Sequence, residues 1–157
     1  MRRGVRLAVD WGGARIGVAA CDPDGVLAYP VRTIVAGPRS LDELRAVAAE
    51  YEPIEVVLGL PRTLRGTDGI AAENVRAVAV GVGAATGVPV RLVDERLTTA
   101  SAAKLLHAAG RNSRQQRRVI DQAAAVALLE QALEYERTTG QPAGESVAGP
   151  ERREGGR

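Results

Sequence analysis

The sequence predicts a mixed α/β fold. It consists of a five-stranded sheet, three strands antiparallel and the rest parallel, with helices on both faces. Three observations carry this. Tight turns link the first three apolar segments, and strands joined that closely must pair antiparallel. From residue 40 onward helical and strand-like segments alternate, and a helical crossover demands parallel pairing. Ile54–Leu60 is apolar apart from Glu55, as expected of a central strand with both faces covered.

Val5–Asp10 and Arg15–Cys21 read as strands joined by a hairpin at Gly12-Gly13. Asp22-Pro23-Asp24-Gly25 is a second tight turn, leading to a third strand, Leu27–Val35, bent at Pro30. Ser40 is positioned to cap a helix, with Glu43 completing a capping box. That helix runs to about Tyr51, with Leu41, Leu44, Val47 and Ala48 at helical spacing, and Pro53 stops it. After Ile54–Leu60 comes a polar, glycine-rich loop, Gly59–Gly69, then a helix from about Ile70 to Ala85, although its Val-Ala-Val-Gly-Val stretch also fits a strand. Val88–Asp94 is the next strand. Ala100–Ala109 reads as a short helix capped by Thr98 or Thr99, Gly110–Ser113 as a basic break, and Arg117–Thr138 as the last helix. One domain is expected over residues 1–139. The Gly- and Pro-rich segment 140–157 is expected to be a disordered tail.

Composition narrows the function classes. A chain of 157 residues with 45% apolar and 25% charged residues is long enough to fold around its own core. The single cysteine, Cys21, rules out an intramolecular disulfide and fits a reducing, cytoplasmic setting. No apolar run reaches the roughly 18 residues of a membrane span, and no membrane partner is expected. The net charge of +2 says little, but Lys104, Arg111, Arg114, Arg117 and Arg118 follow one another with no intervening acid. Such a run is commonly a solvated helix start; beside an acidic site it becomes a phosphate clamp. With no Phe and only four Trp and Tyr residues, the chain is poorly equipped to stack bases. It is better suited to reading backbone shape and charge.

Three acids stand at predicted element boundaries. Asp10 ends a strand that is apolar over Leu7–Val9, where a carboxylate is costly unless it is solvated, paired or metal-bound. The plainer reading of Asp10 is a turn residue bonding the hairpin amides. Asp94 and Glu95 are adjacent, so in a strand only one of them can face the same way as Asp10. Glu95 is the chosen ligand and Asp94 its supporting neighbour; the plainer reading is a surface pair neutralised by Arg91 or Arg96. Asp121 falls in the first turn or two of the last helix, beside Ala124 and Ala125, whose small side chains allow close approach to a sheet. It could equally be a dipole-favoured acid or a weak ion pair with Arg117. Three converging carboxylates repel one another, and divalent cations reverse that penalty. Asp10, Glu95 and Asp121 are therefore the candidate metal and catalytic residues. The ions would be Mg²⁺ or Mn²⁺, two of them, acting in phosphodiester hydrolysis. Such chemistry needs no histidine, and His107 reads as a helix-surface residue.

Phosphate contacts are expected from Arg62, Arg65 and Thr67 in the glycine-rich loop, from Arg96 and Thr98, and from Arg111, Arg114, Arg117 and Arg118. The loop lacks the Gly-Lys-Ser/Thr ending of a P-loop.

Four stretches in order, Leu7–Ala19, Val57–Pro61 with Gly66 and Gly69, Val93–Thr99 and Asp121–Ala125, together resemble the YqgF/RuvX family of the RNase H-like superfamily over roughly residues 5–135. The resemblance implies an RNase H-like fold and a divalent-metal nuclease with acids at Asp10, Glu95 and Asp121. It also implies one of two roles: processing the 5′ end of small-subunit ribosomal RNA precursors, or resolving Holliday junctions. The RNA role ranks first. Junction resolution requires two symmetric cuts, most simply by a homodimer. Two other classes rank lower. Asp-x-Gly-Gly is also similar to the first phosphate loop of actin-like ATP-binding proteins, but those use two such domains. A non-catalytic RNA- or ribosome-binding module would gain nothing from acids turned toward phosphates.

Overall fold

A computed structural model describes residues 1–59, 69–93 and 114–147; for 69–75 and 114–118 it describes the helical backbone only. Its elements are β1 (Arg6–Trp11), β2 (Arg15–Cys21), β3 (Ala28–Val35), α1 (Ser40–Tyr51), β4 (Glu55–Gly59), α2 (Gly69–Thr86), β5 (Val90–Val93), α3 (Arg114–Thr139) and β6 (Glu145–Ser146). The sheet order is β3-β2-β1-β4-β5-β6. β1–β2 and β2–β3 pair antiparallel, β1–β4 and β4–β5 parallel. The hairpin and crossover arguments therefore hold. The expected helix at Ala100–Ala109 lies outside the described residues.

Strand alternation divides the core in two. Leu7 and Val9, Ile16, Val18 and Ala20, and Val56 and Leu58 point toward α1 and α2. Ala8, Ala19, Cys21, Val57 and Val93 point toward α3, against Ala125, Leu128, Leu129, Ala132 and Leu133. All five residues of β4 are buried, which explains its apolar run Val56–Leu58; Glu55 at its start is paired with Arg2. The second turn forms as expected. The Asp22 carboxylate accepts the Asp24, Val26 and Leu27 amides, and Gly25 takes the left-handed conformation at φ +67°. Pro30 sits on edge strand β3, which needs no donor on its outer side, and the register slips opposite Val18 and Ala19. The ambiguous valine-rich stretch is helical. Gly81 within it brings α2 close to Leu41 of α1.

Two expectations are corrected. Ser40 is not the helix cap. Arg39 takes that place without a side-chain cap bond, and Ser40 is the first helical residue. Its Oγ folds back onto Gly37, accepting from Gly37 N and lying 2.8 Å from Gly37 O. The tight turn into α1 puts the hydroxyl closer to Gly37 than to the amides ahead of it. The second correction concerns residues 140–147, which return to the sheet instead of forming a disordered tail. β6 pairs antiparallel with β5 as a sixth strand, and Ala143 is buried. Arg91 donates from Nε to Ala143 O at 2.7 Å and from Nη2 to Gly144 O at 2.8 Å. Composition does not betray this strap, because main-chain pairing and a borrowed arginine hold it rather than large apolar side chains.

Candidate active site

Leu7–Val9 of β1 are apolar and alternate between the two faces, so the position of Asp10 is fixed by the strand before it. Leu7 and Val9 face α1 and α2 while Ala8 faces α3, so alternation turns Asp10 toward α3. Asp10 stands opposite Gly17 of β2 and Gly59 of β4. Both neighbours lack side chains, which leaves the α3 side of the sheet open around it.

Gly17 decides where α3 lies. A Cβ built on it would sit 1.9 Å from the main-chain oxygen of Asp121 and 2.4 Å from its carbonyl carbon. The helix backbone thus rests on the sheet at the residue that faces Asp10 across the hairpin. Ala124 and Ala125 are buried on the same helix, as their small size predicts, but the closest approach belongs to Gly17. Gln122 adds a tie to β3, donating from Nε2 to Thr33 Oγ1 at 3.2 Å.

Asp121 lies seven residues into α3, two turns from its start, so the helix N-terminus is not what holds its charge. Its partner is Arg15, whose Nε donates to Asp121 Oδ2 at 2.8 Å. Burial pushes the Asp121 carboxyl above its ordinary range; Arg15 pulls it back, and the charge of Asp10 pushes it up again. The two acids therefore feel one another. Arg15 was not among the residues singled out from sequence, where Arg117 was the suggested partner. The signal was present: in a strand that is otherwise apolar, an arginine two residues before Gly17 must share its face.

Among the described residues no group of three metal-ligating side chains is gathered. Asp10 and Asp121 make two, and the donor set of hard carboxylate oxygens beside one cation fits a divalent ion of the Mg²⁺ or Mn²⁺ kind. Glu95, Asp94, Arg96 and Thr98 lie outside the described residues, as do Arg62, Arg65, Thr67 and Arg111. Arg114, Arg117 and Arg118 stand on the α3 backbone seven, four and three residues before Asp121, one to two turns earlier on the same helix.

The far end of the same face is sealed by a different acid–base group. Arg6 Nη2 pairs with Glu136 of α3 at 2.6 Å, and Arg2 bridges Glu136 at 2.6 Å and Glu55 at 2.9 Å. α3 is thus pinned at Glu136 and at Asp121.

A family model of RuvX, described as Holliday junction resolvase, matches residues 4–135. The chain belongs to the RuvX family. This RuvX-family chain is 58% identical over 153 residues to a Streptomyces coelicolor protein named "Putative pre-16S rRNA nuclease", covering 94% of this chain and 90% of that one. A Cutibacterium acnes protein of the same name is 56% identical over 135 residues, covering 85% and 84%. Among solved structures, T. thermophilus RuvC in complex with a Holliday junction substrate superposes with a TM-score of 0.55 at 16% identity, covering 88% of this chain and 98% of that one. That likeness shows the shared RNase H-like fold. Membership places the chain among nucleases, and the RuvX match ends before β6. No helix among its described residues is long and apolar enough to cross a membrane.

Proposed function

We propose that the chain is a divalent-metal-dependent endonuclease that acts on structured nucleic acid, and that its substrate is the 5′ leader of the 16S rRNA precursor. The observation that carries the nuclease reading is the seating of Asp121 on Gly17, which sets a helix carboxylate beside the strand-end carboxylate of Asp10. The substrate reading rests on the names of the relatives, which cover nearly the whole chain.

Asp10, Glu95 and Asp121 are the ligands in this reading. Val93 faces α3, and counting by two from Val93 reaches Glu95 and passes over Asp94, which favours Glu95 as the third carboxylate. Two bound Mg²⁺ or Mn²⁺ ions would supply an activated water and stabilise the departing 3′ oxygen. The chain's own residues do the rest. The acids bring hard oxygens to one face. Arg62, Arg65, Thr67, Arg96, Thr98, Arg111, Arg114, Arg117 and Arg118 hold phosphates and fix the register of the substrate. Asp94 supports its neighbour. Residues 1–139 carry the activity, in the cytoplasm, where Cys21 stays a free, buried thiol.

The alternative is junction cleavage by a homodimer, which the RuvX description favours. A side-by-side assay separates them. Wild type and Asp10→Asn would each meet an rRNA leader and a four-way DNA junction, with Mg²⁺, Mn²⁺ or EDTA. Metal-dependent cutting of the leader, lost in Asp10→Asn, is the expected result. Cutting of the junction only would transfer the proposal to the dimeric resolvase. A folded wild type that cuts neither would remove both.

A further inference from the structure

Two of the arginine–carboxylate pairs on the α3 face of the sheet, Arg6–Glu136 and Arg15–Asp121, differ in one respect. In the Arg6–Glu136 pair the side chains are 1% and 4% exposed, so neither has a route to water. In the Arg15–Asp121 pair the arginine is 35% exposed and the aspartate 15%. The acid is held in place by the helix on Gly17, while the guanidinium that pairs with it has an open side. A half-buried carboxylate next to a second one is costly without a nearby positive charge. Arg15 supplies that charge through a single Nε–H, leaving the rest of its fork free of Asp121. A divalent ion at Asp121 would bring more positive charge to the same oxygens and repel the guanidinium, whose exposed side lets it withdraw.

We propose that Arg15 is a built-in counter-cation for Asp121, holding its carboxylate in the metal-free chain and exchanging places with the entering metal ion. The role rests on the metal reading given above but adds a residue and a sequence of events to it. Arg15 is a positioning residue for the empty site and a competitor of the metal. Metal affinity is therefore lower than the carboxylates by themselves would give, in return for a stable site before loading.

The test uses the full chain and Mn²⁺ as the probe, by calorimetric titration and by the rise in Tm on adding Mn²⁺. Arg15→Gln should bind Mn²⁺ about tenfold more tightly than wild type, since a unit positive charge has left the site. Arg15→Lys, which keeps the charge, should stay within about threefold of wild type. The stabilisation by Mn²⁺ should be larger in Arg15→Gln than in wild type by the amount that the tighter binding dictates. Equal or weaker binding by a folded Arg15→Gln overturns the proposal while leaving the metal site intact. No Mn²⁺ binding by either protein removes the metal reading itself, and this inference with it. A second measurement needs no variant. In wild type the Arg15 Nε–H should exchange slowly with water without metal and faster with Mg²⁺ bound. An Nε–H whose protection is unchanged by bound Mg²⁺ overturns the exchange.

Discussion

Gly17→Ala is the sharpest probe of how this site is assembled. The added methyl would sit 1.9 Å from the Asp121 carbonyl oxygen, where ordinary contact begins at 3.4 Å. The obstacle is main chain in the middle of a helix, so no side chain can rotate away. Either α3 lifts off β2 or the hairpin bends, by about 1.5 Å in all. Overpacking of this kind costs about 1–3 kcal/mol. At about 2–4 °C per kcal/mol for a chain of this length, Tm should fall by about 2–12 °C. The functional loss should be larger than the stability loss, because the displaced residue is Asp121 itself. A misplacement of about 1 Å at a reacting centre can cost about 10²-fold in rate. The assay pairs thermal unfolding in EDTA with Mn²⁺-dependent cleavage, using Gly37→Ala, where a Cβ meets nothing within 4 Å, as the control. Wild-type Tm and cleavage in Gly17→Ala would refute the close seating of α3 and the acid pairing that follows from it.

Other outcomes follow from the same contacts. Asp121 has a folded-state carboxyl above its ordinary value, so in EDTA its contribution to stability is fully present below that ordinary value. It is lost as pH rises through the raised one. Asp121→Asn should remove this fall in Tm as pH rises above the ordinary carboxylate range, raise Tm at neutral pH, and abolish metal binding. Arg6→Ala would leave Glu136, 4% exposed, with only Arg2, and should cost about 3–5 kcal/mol, seen as a lower urea midpoint at an unchanged slope. Truncation after Thr139 removes β6 and the carbonyls that Arg91 holds. It should lower Tm by about 3–8 °C and speed amide exchange in β5.

The plan of the fold was legible because it is encoded locally. Gly12-Gly13 and Asp22–Gly25 are turn chemistry, and each fixes an antiparallel pair without help from distant residues. The apolar run of β4 announces a strand covered twice, and the structure covers it with α1 and α2 on one side and α3 on the other. Ser40 misled because its sequence matches a cap while the turn ahead of it takes the hydroxyl. The strap 140–147 was missed because its ordering depends on Arg91, some fifty residues away, and on backbone hydrogen bonds that leave no mark on composition.

For the site, the sequence by itself singled out Asp10 and Asp121 as candidates and set the face of Asp10. A period of two along β1 settles its direction. The sequence could not determine which cation Asp121 meets. Arg117 is near in the chain, whereas Arg15 is 106 residues away and becomes a neighbour only when α3 settles on the β1–β2 hairpin. Nor could it assign Gly17 its purpose. In sequence Gly17 is one small residue within a strand; in the fold it is the gap through which a helix backbone reaches the sheet. Distance between two charges is a property of packing, and packing here is decided by an absent side chain.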